Sequence, residues 1–245
     1  MKVDAGVQRL LLDLADSDAE INRLEHRRKN LPEDAEIAEI GKSIDAARDD
    51  LVRAEISAED LGREYRRIES EVKGMTDREA KDAKLLASGG LAPKALTELQ
   101  HELNSLGRRK ALLEDEMLSL MEQQEAVEAE RNRASATIAH LEEKLAALNE
   151  SREKSLATID EDLAHVRERR EGQAAEIDPD LLAIYEKQRA NGRIGAGLLR
   201  ARRCGACRME LDRGTVAQIS AALSDEVIRC EECGAILVRT SESGI

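Results

Sequence analysis

From Ile37 the apolar residues advance in alternating steps of three and four, through Ile40, Ile44, Ala47, Leu51, Ala54, Ala58, Leu61, Tyr65, Ile68 and Val72 to Met75. That rhythm holds one stripe toward a partner helix, so it predicts a coiled-coil helix and not a chance amphipathic one. It returns after Pro93 as Leu96, Leu99, Leu103, Leu106, Lys110, Leu113, Met117, Leu120, Gln124, Val127, Arg131, Ala134, Ile138, Leu141, Leu145 and Leu148. A shorter series opens the chain with Val3, Val7, Leu10, Leu14, Ser17, Ile21 and Leu24. Three long helices are expected. Lys110, Gln124 and Arg131 hold seam positions, where long stems set register at some cost in stability.

Two sites interrupt the helical run. Asn30-Leu31-Pro32-Glu33-Asp34 ends one helix and supplies proline and acids for the next. Ser88-Gly89-Gly90-Leu91-Ala92-Pro93 carries the glycines and the proline of a tight helical hairpin. The stretches on either side of Gly89-Gly90 are nearly equal in length, which predicts that the chain folds back on itself. Numbers of facing residues should then sum to about 180, bringing Pro32 opposite Leu148. There the third helix steps to Arg152 and Leu156, two fours in succession, a stutter that unwinds a coiled coil locally.

Composition supports burial confined to a narrow seam. Phe and Trp are absent, Tyr occurs twice and 36% of residues are charged, too little aromatic bulk for an ordinary globular core. No stretch approaches the roughly 18 apolar residues of a membrane span, and the run around Leu10-Leu11-Leu12 is too short for a signal-peptide core. A soluble, cytoplasmic protein is the expectation, without a small-molecule substrate.

All four cysteines fall near the C-terminus as Cys204-Gly-Ala-Cys207 and Cys230-Glu-Glu-Cys233-Gly234. Two such pairs, each wrapping one edge of a tetrahedron, are what a single Zn²⁺ held by four thiolates requires. A closed Cys₄ site is structural, and metal binding is expected to drive folding of this module, whose strands at Met209–Leu211, Val227–Arg229 and Ile236–Arg239 are too few for a core of their own. The expected fold class is therefore mainly α: a long antiparallel coiled-coil hairpin over 1–173, with its tip near 88–93 and a break near 30–34. A short helix and hinge follow over 174–197, then a small, β-rich C4 zinc ribbon over 198–245. Asp178-Pro179 reads as the N-cap and first residue of that short helix, with Leu181, Leu182, Ile184 and Tyr185 apolar. Gly192, Gly195 and Gly197 are read as loosening the chain after it.

Catalysis has no visible home. His26, His101, His140 and His165 are scattered along the helices, and no phosphate-binding loop, HExxH or nucleophile elbow occurs. The net charge of -13 opposes attraction of the whole protein to nucleic acid. Locally the balance reverses, because Lys187 to Arg213 holds eight basic residues against Glu210 and Asp212. Two readings stand side by side. The arginines compensate the roughly -2 charge of a Zn²⁺ with four thiolates, or Arg200, Arg202, Arg203, Arg208, Arg229 and Arg239 present a face for phosphates, giving affinity without sequence reading.

With these residues in view, the whole chain resembles a family of bacterial proteins that join an N-terminal antiparallel coiled coil to a C-terminal C4-type zinc ribbon and are described as nucleic-acid-binding proteins or interaction adaptors. The likeness is carried by Leu182-Ala183-Ile184-Tyr185-Glu186, by Cys204-Gly205-Ala206-Cys207-Arg208-Met209-Glu210-Leu211 and by Ile228-Arg229-Cys230-Glu231-Glu232-Cys233-Gly234 with Ile236-Leu237. Ala235 and Val238 stand where family members often have arginine and tyrosine. The resemblance implies Zn²⁺ binding and an adaptor role with nucleic acid among its partners. Three functions are thus expected in order: a non-enzymatic adaptor whose ribbon contacts RNA or DNA backbone or the transcription or RNA machinery while the coiled coil recruits protein; a purely protein-binding scaffold; and a zinc–thiolate redox switch.

Overall fold

The computed structural model describes residues 1–244. Prolines, glycines and side-chain caps set the helix boundaries. α1 (Ala5–Lys29) starts at Asp4, whose carboxylate accepts the Gly6 N–H at 2.7 Å, and stops at Asn30. α2 (Pro32–Ser88) opens on its proline with Glu33 and Asp34 in the first turn, where acids complement the helix dipole. Gly89 and Gly90 take φ of 69° and 82°, the left-handed conformation that reverses the chain, and α3 (Pro93–Ala175) starts on the next proline. The result is a long helical hairpin followed by a small strand-rich region carrying the zinc ribbon.

The described residues form two compact units, Ala35–Glu150 and Met1–Asp34 with Ser151–Ile245. Within Ala35–Glu150, Ile68, Leu113 and Leu120 are buried, with Leu61, Tyr65, Val72, Met75 and Met117 packed around them. Most of these are seam residues of α2 and α3, so burial follows the three-four rhythm. Lys110 leaves the seam by reaching Glu79 at 3.4 Å, and Arg131 pairs with Glu128 at 3.0 Å. Long stems lie along apolar surface while their charged ends meet a carboxylate near water.

In the other unit, Ile21 and Leu31 pack with Ile159, Leu163 and Val166. The register there differs from the expected one. Glu33 accepts from Ser155 Oγ at 2.9 Å and Asp34 from Arg152 Nε at 2.5 Å, so Pro32 lies between one and two turns further along α3 than Leu148. Asn30 departs from helical geometry, with φ -134° and ψ 61°. Asn30 lies on the α1 side of Pro32, and the offset is already present nearer the tip, where Arg48 pairs with Glu142 at 2.9 Å, so the register shifts within α2 and α3 themselves.

Beyond α3, α4 (Pro179–Ala190) is capped by Asp178, whose carboxylate accepts from the Asp180 and Leu181 amides at 3.0 and 3.2 Å. β1 (Ala196–Arg200), β2 (Arg203–Cys204), α5 (Arg213–Ala221), β3 (Ile228–Arg229) and β4 (Ile236–Val238) follow. The sheet order is β2-β1-β4-β3, with β1 parallel to β4 and both outer pairs antiparallel. Neither β1 nor α5 is apparent in the periodicity, and the expected strand at Met209–Leu211 reduces to one bridge between Glu210 and Arg203.

The sheet is buried on both sides. Ala196, Ile236 and Val238 face Val3, Leu11 and Leu14 of the N-terminal segment together with Ile177, Leu181 and Tyr185. Leu199 and Leu237 face the other way, toward Leu211, Ile219 and the sulfurs. Alternation along a strand places successive residues in different cores. The expectation that the strands lack a core without the ion therefore needs correction: one face of the sheet is covered by helices, and only the other shares its core with the cysteines. The N-terminal segment adds to this, because Val3 N–H donates to Asp225 O at 2.6 Å and Val227 N–H to Met1 O at 3.1 Å.

Candidate metal centre

The two cysteine pairs sit on two turns of the same backbone design. In the first, the Arg208 N–H donates to Cys204 O at 2.7 Å and the Cys204 N–H to Met209 O at 3.0 Å. In the second, the Gly234 N–H donates to Cys230 O at 2.8 Å and the Cys230 N–H to Ala235 O at 2.8 Å. Residue five of each turn is left-handed, Gly234 at φ 78° and Arg208 at φ 65°. Arginine thus takes the conformation for which glycine is suited, at a cost of about 1 kcal/mol or more. Gly205, which the sequence suggested as the flexible point of the first turn, serves a different need. A Cβ there would lie 2.6 Å from Leu198 O, and the Gly205 N–H donates to that oxygen at 2.9 Å.

These turns bring four sulfurs together. The Sγ atoms all lie within 4.8 Å of one another, with Cys204–Cys233 and Cys207–Cys230 each at 3.9 Å. A tetrahedron of Zn–S bonds of about 2.3 Å has edges of about 3.8 Å, so the donor set fits one structural Zn²⁺. The cysteines are free of disulfides. Cys204 and Cys230 are buried and Cys207 and Cys233 half-buried, and four thiolates fill a tetrahedral coordination sphere. Burial pushes the Cys204 thiol up to about 12, and burial likewise raises Cys233. The Met209 N–H bond to sulfur holds Cys207 below the usual thiol range. A bound dication overrides the burial effect, since a coordinating thiol is deprotonated outright. When bound, Zn²⁺ supplies cross-linking charge here.

The six arginines singled out by sequence separate into two sets. Arg200 and Arg203 flank the β1–β2 hairpin, whose two loop residues, Ala201 and Arg202, both have positive φ, 47° and 61°. A two-residue loop of this type matches the twist of the strands it joins. Arg200, Arg202, Arg203 and Arg208 are all exposed. Arg200 approaches Glu242 at 3.8 Å and Arg203 approaches Glu210 at 3.6 Å, both solvated pairs, and among the described residues the Arg202 and Arg208 side chains hold no ion pair. Arg229, itself exposed, and Arg239 are also tied to backbone carbonyls of the fold. Arg229 Nε donates to Gly234 O at 2.9 Å. Arg239 donates to Ile219 O and Ala222 O at 3.3 and 3.0 Å, and to Leu223 O and Glu226 O, closing the C-terminal end of α5. At the other end Asp212 caps α5, its carboxyl held below the ordinary range by the Thr215 hydroxyl and the Thr215 and Gly214 amides.

Sequence reasoning missed a second polar centre beside the ribbon. Asp18 of α1, almost fully buried, accepts from the Tyr185 hydroxyl at 2.7 Å, from Arg170 Nε at 2.6 Å and from Arg189 Nε at 2.9 Å. Arg170 and Arg189 also reach Glu186. Burial lowers the Arg170 pKa, but the bonds to Asp18 and Glu186 outweigh it and raise the group overall; burial and Asp18 together push Tyr185 up. The only available signal was an acidic residue one step from a seam position.

Residues 14–193 match the CT398-like coiled coil hairpin domain and residues 203–237 the C4-type zinc ribbon domain. An uncharacterized protein of Mycobacterium tuberculosis, MT2288, is 44% identical over 239 residues, 98% of each chain. A solved structure from Mycobacterium smegmatis superposes with a TM-score of 0.85 at 41% identity, covering 98% of this chain and 100% of the other. CT398 from Chlamydia trachomatis shares the fold at a TM-score of 0.67 and 19% identity, over 96% and 98% of the two chains. Sulfur geometry, helical hairpin and relatives agree that the chain belongs to the CT398-like coiled-coil hairpin family and carries a C4-type zinc ribbon.

Proposed function

We propose that this protein is a non-enzymatic zinc-ribbon adaptor that grips the phosphate backbone of RNA or DNA with its β1–β2 hairpin and first cysteine turn, while the coiled coil recruits protein. The observation that carries this reading is the exposed group Arg200, Arg202, Arg203 and Arg208, two of them on left-handed backbone. Two arginines on left-handed backbone, Arg202 in the hairpin loop and Arg208 on the first cysteine turn, are a costly arrangement for charge compensation alone. Arginine's planar fork suits phosphate oxygens, and the absence of Phe and Trp fits backbone contact without base stacking.

The second reading, a scaffold that binds protein only, is favoured by the Arg200–Glu242 and Arg203–Glu210 pairs, which return part of the charge to the protein's own carboxylates. Gel-shift titration across salt separates the two. Phosphate contacts by four arginines give a log–log salt slope of roughly -3 for RNA single strands and -4 for duplex DNA. Binding should fall steeply in the R202E/R208E double variant, with zinc content unchanged. No shift at low salt leaves the protein scaffold.

A further inference from the structure

Helix α4 faces the metal turn and the Asp18 centre through a single stripe. Its buried residues are Leu181, Tyr185 and Gln188, spaced by four and three so that they share one side of the helix. Tyr185 bonds Asp18 at one end. It also lies so close to the segment entering β1 that a Cβ on Gly195 would come within 2.4 Å of its ring. Gln188, a turn further on, packs against the glycine of the second cysteine turn, where a Cβ on Gly234 would lie 2.6 Å from Nε2. Gln188 Oε1 is buried without a hydrogen-bond partner, so that end of the side chain rests on packing alone.

We propose that α4 couples zinc loading to the docking of Tyr185 on Asp18, so that the metal state of the ribbon and the order of the helical base reinforce each other. The physical route is short. Zinc fixes Cys230 and Cys233, and with them Gly234 at its left-handed φ of 78°. Gly234 forms the wall against which Gln188 rests, and Gln188 sits on the same stripe as Tyr185. Without the ion the turn is free to open, Gln188 loses its support, and α4 is left to the Asp18 cluster at its other end. Linkage makes the effect reciprocal: whatever stabilisation zinc lends to α4, docked α4 lends to zinc.

Hydrogen exchange and zinc transfer on the full chain test this. Chelation under reducing conditions should raise exchange across 181–190 while leaving 60–75 unchanged. At equilibrium, transfer of zinc to a chromogenic chelator should be about fivefold more favourable, or more, in Tyr185→Phe than in the wild type, the lower end of measured coupling between sites. In a Gln188→Ala background the same tyrosine change should have less effect, because the connection is already cut. Tyr185→Phe removes one hydroxyl and keeps the ring, so folding is preserved for the comparison. Exchange across α4 that ignores chelation, unaltered zinc transfer in Tyr185→Phe, or an equal effect of that substitution with and without Gln188 would each overturn the proposal.

Discussion

The seam of Ala35–Glu150 and the base formed by Met1–Asp34 with the C-terminal segment bury side chains by different rules. In the seam, local rhythm decides: Ile68, Leu113 and Leu120 recur at coiled-coil spacing, and charged residues pair along one helix, as Arg63 does with Glu59 and Asp60, or straight across to the facing helix, as Arg48 does with Glu142. In the base, single encounters between distant residues decide. Asp18 meets Tyr185 across 167 positions of sequence, and Gln8 Nε2 reaches Ser224 O across 216. A repetitive surface tolerates the loss of one member because its neighbours repeat the same contact. A hub loses several partners at once.

Breaking the comparison at its most demanding point means removing a metal ligand. Cys230→Ser should abolish stoichiometric zinc and expose Leu199, Leu211 and Ile219, since coordination energy is folding energy for that face of the sheet. Helical circular dichroism should persist, because α2 and α3 rest on their own seam. Next comes the hub. Asp18→Ala removes the acceptor shared by Tyr185, Arg170 and Arg189, leaving Arg170 on Glu186 alone, and should destabilise the base by about 3 to 5 kcal/mol, measured by denaturant unfolding. Ile68→Ala, a fully buried seam residue, should cost about 2 to 5 kcal/mol, and the effect belongs near the lower end if the paired helices can close on the space.

A pH titration sharpens the contrast further. Tyr185 is raised above the ordinary value of about 10 by burial first and then by its bond to Asp18, so its protonated form is the one the fold prefers. Its contribution is complete below pH of about 10 and declines as pH rises beyond that toward the folded value. Stability should therefore drop in alkali in the wild type, and the drop should shrink in Tyr185→Phe, where Tyr65 is the remaining tyrosine. Smallest of all, Arg63→Ala on the exposed face of α2 should change stability by no more than about 0.5 kcal/mol, since solvated helical ion pairs contribute little.

What could be read from the chain alone follows the same division. Steps of three and four announced α2 and α3, because a coiled coil stores its information in spacing. The cysteine pairs announced the zinc because a tetrahedral ion imposes spacing of its own. Asp18 carried no such mark: one acid among many on α1, it gains meaning only beside Arg170, Tyr185 and Arg189. Gly195 and Gly197 look like loosening elements in sequence, yet a Cβ at either would come within 2.4 Å of Tyr185 or the Ala206 nitrogen. They mark close approach instead of flexibility. Arg239 and Arg229 resemble the exposed arginines in composition and differ only in that carbonyl oxygens lie within their reach. Three-dimensional proximity, which periodicity does not encode, assigns those roles.

The parallel pairing of β1 with β4, and the cover that Leu11 and Leu14 find under Ile236 and Val238, also govern how the protein is made. A ribosome releases the first of these residues long before the last. At about 5 to 20 residues per second, roughly 10 to 40 seconds separate α1 from the strand that shields it. Throughout that interval an apolar surface on the nascent chain stands uncovered, which makes α1 the segment most exposed to misassociation before β4 is made.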